Sequence, residues 1–475
     1  MPTELEPNPK PRVSCDSRAS GPNEGVDLRD AGRDGGATPR DAAVIIPVSF
    51  ATTVAMWGVG YVSHLEFLSA PKLALITLAV VHVLGARAAA RRAARSIRAG
   101  VLTGGLVSIL NLLVLASFLA EGGEQSRGAV LGSAVGFVVL GGVLGAIGAL
   151  VAPRGEARLA FHPERAFSRV AVLATFLLIV IGGIVTTHEA GLAVPDWPTS
   201  FEANMFLLPF SRMVSESHVY YEHAHRLFGA LVGVTTVTLA LFLGLRDRRR
   251  WIRVLAAAAT ALVALQGWMG GLRVTAADNV NNVENWQSLA LRVAHGVTAQ
   301  VFLALLVVIA VAYSRTWQRG ETSATSRFRA ERILATLLVG GIFLQLLLGA
   351  LVRHISREAW VLPHIGGAII VTGFAVLVSV RATSFHEKVT PVRLSGLALV
   401  FVVILQVFLG FFALAFPQDT TPMSGTTSAL ESLVVTSHQA TGAIVLAVAV
   451  LHACRVWRVL RPGDDDASAS VPAAA

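Results

Sequence analysis

Cysteine is all but missing from this chain: Cys15 sits in a polar amino-terminal stretch, Cys454 near the end of an apolar run, and there is no third. Two such isolated thiols exclude a disulfide scaffold and a cysteine zinc cluster. Charge is scarce too, at 15% of 475 residues, against 54% hydrophobic residues and a mean hydropathy of +0.63. Soluble domains carry charge on about a quarter of their residues, so a surface wetted on every side is excluded. Glycine, in contrast, is plentiful with 43 copies. Small residues let helices approach closely in lipid, where apolar burial gives no net drive between them.

Residues 1–43 hold no apolar run and read as a disordered tail rather than a signal peptide, as do 458–475. Between them, apolar stretches long enough for about 30 Å of hydrocarbon recur about twelve times. They fall near 44–66, 71–86, 101–120, 128–151, 170–187, 222–245, 253–274, 289–313, 332–352, 361–380, 394–416 and 433–454. The expected fold is therefore an all-α polytopic membrane protein. Every second connection is arginine-rich: Arg87 to Arg98, Arg154 to Arg169, Arg246 to Arg253, Arg315 to Arg332, Arg381 to Arg393 and Arg455 to Arg461. The intervening loops are acidic or neutral, as in 188–221 with Glu189, Asp196, Glu202 and Glu216, and in 417–432 with Asp419 and Glu431. Cytoplasmic loops collect Lys and Arg, which puts both termini in the cytoplasm and loop 188–221 outside. The net charge of +9 is thus divided among short loops and forms no stripe for nucleic acid.

Laying 170–313 beside 332–457 reveals an internal repeat. The third helix of each half carries Leu-Gln-x-x-x-Gly, as Leu265-Gln266 to Gly270 and as Leu405-Gln406 to Gly410. The second helix has a histidine near its outer end followed by Gly-Ala, His225 with Gly229-Ala230 and His364 with Gly367-Ala368; the fourth has His295 or His438. Two pseudo-symmetric four-helix bundles are the economical explanation. Polar rings inside lipid demand partners. Two neutral imidazoles from facing helices at one depth can take both axial positions of a haem iron, the usual ligation of a transmembrane cytochrome. Only the first pair has a carboxylate one helical turn away, Glu222 before His225; the matching position 361 is Val. A carboxylate there either meets water and Arg226 outside the bundle or serves as acid, base or cation stabiliser beside a porphyrin.

These residues resemble the haem A synthases over about 170–457. The likeness is carried by Gly182-Gly183, Glu189-Ala190-Gly191-Leu192, Pro195-Asp196-Trp197-Pro198, Glu222-x-x-His225-Arg226, Gln266 to Gly270-Gly271, His295, Gln345 to Gly349-Ala350, Val352-Arg353-His354, His364 and His438-Gln439. The resemblance implies eight helices in two halves and an oxidoreductase that converts the C8 methyl of haem O to a formyl group by successive hydroxylation. That reaction serves assembly of haem-copper terminal oxidases in the cell membrane. The resemblance also implies substrate haem O between His225 and His295 in half 170–313, with Glu222 catalytic. A haem b cofactor would lie between His364 and His438 in half 332–457. Haem O synthase, an electron donor and oxidase assembly factors are the implied partners, beside membrane lipid. Two departures stand out. Many members carry a cysteine pair flanking the Pro-Asp-Trp-Pro element, absent from Val194 to Ser200, and Thr186 stands where an arginine is common.

The four helices in 44–151 lie outside the resemblance and read as an accessory region. Their lack of any Asp rules out a fused prenyltransferase, which needs aspartates for magnesium diphosphate. His64 and His82 there read as structural. The alternative reading is a quinone-linked di-haem electron carrier, for which Glu222 is incidental; a twelve-helix transporter would predict polar or broken mid-membrane helices, whereas the histidines cluster near one face and the helix middles are strongly apolar.

Overall fold

The computed structural model describes residues 39–65, 71–93, 96–119, 127–152, 161–276, 285–416 and 428–463. Its elements run α1 (Pro39–Val62), α2 (Pro71–Ala90), α3 (Ser96–Leu119), α4 (Arg127–Leu150), α5 (Pro163–Thr187), β1 (Thr199–Ser200), β2 (Ala203–Asn204), a 3₁₀ turn (Met205–Leu207), α6 (Phe210–Val214), α7 (Ser217–Arg246), α8 (Arg250–Ala276), α9 (Trp286–Ala312), α10 (Arg315–Arg319), β3 (Ser323–Ala324), α11 (Phe328–His354), α12 (Arg357–Ser384), α13 (Thr390–Leu414), α14 (Ala429–Val459) and β4 (Leu460–Arg461). Twelve of these helices are long and apolar enough to cross a membrane, one for each expected stretch. The fold is that of an all-α polytopic membrane protein. Most helices extend several residues past their apolar windows, because a helix satisfies its own backbone polar groups and can continue among headgroups with charged side chains.

Two expectations are corrected at the edges of the tails. Residues 39–43 are helical rather than disordered: Pro39 opens α1, where its fixed φ suits the first turn, and Asp41 follows in that turn, where a carboxylate is favoured. At the other end, α14 continues to Val459 and β4 pairs in parallel with β3. Arg332 secures this end by donating to the carbonyl of Leu460 at 2.7 Å. The expectations for 1–38, for 464–475 and for loop residues 153–160 and 417–427 lie outside the described residues.

Helices α1–α4 pack on one another, and α1 and α3 also lean on α5 and α7. Aromatics make that seam. Trp57 meets Phe228 edge to face at 5.2 Å, Tyr61 stacks on Tyr220 at 5.6 Å, and the Tyr220 hydroxyl donates to the Tyr61 carbonyl at 3.0 Å. The Trp57 indole donates to Asn111 Oδ1 at 2.8 Å, so its polar edge is satisfied inside the seam. A second seam, through α5, α9, α11 and α14, joins the rest, with Ile179, Leu303, Leu338 and Leu446 in its core.

Trp57→Ala should cost about 3 kcal/mol, as large-to-small changes in aromatic cores do. The measurement is the apparent melting temperature of the purified protein in detergent. An unchanged value would mean that α1–α4 do not support α7.

Candidate haem-binding site

Helix caps set the depth of the histidines. Asn285, Ser356 and Ser428 accept the amide hydrogens of Ser288, Ala359 and Glu431, fixing the first turns of α9, α12 and α14. His295, His364 and His438 then follow within three turns of these caps. His225 lies at a similar distance from the start of α7. The result is two facing pairs. The rings of His225 and His295 are 6.5 Å apart between centroids and inclined at 75°; those of His364 and His438 are 6.4 Å apart at 84°.

A glycine of the preceding helix stands against each ring. A Cβ on Gly182 would lie 3.1 Å from His225 Cε1, on Gly349 3.2 Å from His364 Cε1, on Gly410 3.0 Å from His438 Cε1, and on Gly270 3.7 Å from His295 Cε1. Any larger residue at 182, 349 or 410 would push its ring off the shared axis. All four histidines are only partly buried, and nothing lies within contact distance beside Gly229 on α7 or Gly296 on α9. The spacing suits a haem. With a ring nitrogen about 2 Å from a shared metal and about 1.1 Å from its own centroid, two axial imidazoles stand about 6.3 Å apart.

Glu222 occupies the same face of α7, at the outer end. Its Oε1 accepts from Arg226 Nη2 at 2.7 Å and its Oε2 from the Val194 amide at 2.7 Å. Arg226 further donates to the carbonyls of Asp196, Thr199 and Val194. The pair therefore clamps the outer loop over the first histidine pair; Arg226 faces this loop inside the protein, not the water. Within the loop, Asp196 accepts from the amides of Phe201 and Glu202 at 2.7 and 2.8 Å and holds both residues in the left-handed region. Burial raises the Asp196 carboxyl pKa, but the Thr199 hydroxyl and these amides outweigh burial and hold it below the usual aspartate value. Trp197 lies on Gly271, where a Cβ would come within 2.3 Å of the indole, so this glycine is the seat of the loop.

Glu189 joins parts of the chain far apart in sequence. It bridges Arg292 of α9 at 2.6 Å and Arg353 of α11 at 2.9 Å, and Arg353 also donates to the Thr186 carbonyl. The position expected to lack an arginine is thus served by one from another helix. His223, bonded to Ser200 Oγ at 3.3 Å, and the enclosed His354 are polar residues of this end that the periodicity did not single out. His64 and His82 join neither pair: His64 bonds the Gly60 carbonyl at 2.8 Å and His82 that of Gly141 at 3.2 Å. No group of three or more metal-binding side chains occurs among the described residues.

Residues 165–474 match the family model described as cytochrome oxidase assembly protein, COX15-CtaA. Among curated proteins, the chain is 31% identical over 145 residues to a "Heme A synthase" of Listeria monocytogenes serotype 4a, covering 30% of this chain and 42% of that one. It is 28% identical over 222 residues to a "Heme A synthase" of Beijerinckia indica, covering 40% and 60%, and 27% identical over 229 residues to one of Bradyrhizobium sp. strain ORS 278, covering 41% and 58%. The chain spans about half the length of these relatives. With paired histidines on four helices and a family match over well more than half its length, this chain belongs to the COX15-CtaA family of cytochrome oxidase assembly proteins.

Proposed function

We propose that this protein is a haem A synthase of the cell membrane, with both termini cytoplasmic, oxidising the C8 methyl of haem O to a formyl group by successive hydroxylation. The observation that carries the proposal is the asymmetry between two otherwise equivalent histidine pairs. Glu222 stands one turn from His225, whereas Val361 holds the matching place before His364. One site then has a reactive group beside its ring system and the other does not.

In this reading His225 and His295 hold the substrate haem O, and His364 and His438 hold a haem b cofactor. A bound haem supplies a redox-active iron. The protein supplies position: the glycine behind each imidazole and the capped helix ends fix ring depth, and the apolar walls exclude water. Glu222 is held in position by Arg226 and the Val194 amide, where its carboxyl can stabilise a cation or exchange a proton beside the substrate ring. Arg353 and Arg292 gather positive charge at the same end, where haem propionates would find partners. Methyl to formyl removes four electrons and adds an oxygen, so an oxidant and an electron donor are required partners, and haem O synthase is the source of substrate.

Membranes from cells that make haem O should yield haem A when this protein is expressed, and pigment extraction with separation of haems B, O and A measures it. Recovery of haem O unchanged would leave the electron-carrier reading standing. Glu222→Gln should keep bound haem b and lower haem A formation at least about a hundredfold, the usual size of an acid–base contribution; haem A at the normal rate would remove Glu222 from catalysis. His364→Ala, His438→Ala and Gly410→Leu should each abolish the low-spin b-type absorbance, the last by displacing His438. Unchanged spectra in all three would place the cofactor elsewhere.

A further inference from the structure

Three of the four rings have a glutamine amide within reach of Nδ1. Gln345 Nε2 is 3.0 Å from His364 Nδ1, and Gln406 Nε2 is 3.2 Å from His438 Nδ1. The Gln266 amide, oriented so that its oxygen accepts from the Ala299 amide, lies 3.2 Å from His295 Nδ1. Each glutamine stands four residues before the glycine that faces its ring: 266 before 270, 345 before 349, 406 before 410. The fourth copy of this arrangement is on α5, where Gly182 faces His225 and the residue four before it is Leu178. Leu178 packs into the apolar core, and His225 Nδ1 is buried with no hydrogen-bond partner.

A hydrogen-bonding side chain at the nitrogen away from the metal restrains the orientation of a ligating imidazole. Gln345 Nε2 also donates to the His364 carbonyl at 2.8 Å and Gln406 Nε2 also lies 3.4 Å from His438 Nε2, so each amide is anchored against the ring it faces. Three rings are therefore tethered from behind. His225 is not, and it is the ring that shares its helix face with Glu222.

We propose that Leu178 makes His225 the exchangeable axial ligand, so that one coordination position of the haem between His225 and His295 opens to a small neutral ligand on the Glu222 side, while Gln266 keeps His295 in place. The haem between His364 and His438, tethered on both sides, stays closed. This rests on the reading of the four histidines as haem ligands. Leu178 is a positioning residue, acting only through the ring it fails to hold.

Carbon monoxide is the probe, added to the reduced, purified full-length protein loaded with haem O, with haem per chain counted separately. The wild type should bind carbon monoxide at one of its two haems. Leu178→Gln should slow that binding at least tenfold with haem content unchanged. Gln345→Leu should raise the carbon monoxide-reactive fraction above one haem per chain. Haem-loaded variants that both react as the wild type does would overturn the proposal. Failure of the underlying reading is visible separately: His225→Ala and His364→Ala would then leave the haem count per chain unaltered.

Discussion

Facing imidazoles have to meet at one depth inside an apolar bundle, and the close approach of a glycine backbone to each ring makes this possible. The rings are large and polar, and the helices carrying them cannot separate without opening gaps in a densely packed interior. Removing the side chain behind each ring lets neighbouring helices stay in contact while the imidazole stands between them. Gly182, Gly270, Gly349 and Gly410 do this on four different helices. Much of the remaining architecture follows, since each of the helix pairs α5–α7, α8–α9, α11–α12 and α13–α14 is in direct contact.

The outer loop depends on the same end of the bundle. Arg226 grips three loop carbonyls one residue after His225, and Glu222 ties that guanidinium to the Val194 amide. A partly buried ion pair of this kind is costly to break from one side only, because the remaining charge would lose its partner. Glu189 adds a second tie, between α9 and α11, so the loop that covers one histidine pair also reports on the helix beside the other. Glu222 thereby ties the outer loop to the helix that carries His225.

The amino-terminal helices are more than an appendage to this arrangement. Trp57 and Tyr61 pack on Phe228 and Tyr220, which lie on α7 within five residues of His225. A family likeness beginning near residue 165 gives no hint of this contact, because it is made by residues that relatives of the later part need not contain.

Hydropathy alone determined the twelve spans, since crossing lipid requires an uninterrupted apolar helix and leaves little choice of backbone. The repeat likewise singled out His225, His295, His364 and His438, because a duplicated spacing marks equivalent positions without any knowledge of contacts. Tail boundaries were less legible: Pro39 and Leu460 join ordered elements through caps and strand pairing that composition does not report. Only the tertiary structure decided which glycine faces which ring, that Glu222 is bound to Arg226 and Val194, and that His225 alone lacks a glutamine behind it. Each of these is a contact between helices. A sequence records the period of a helix face, whereas the rotation of one helix against its neighbour is set by the packing of all of them together.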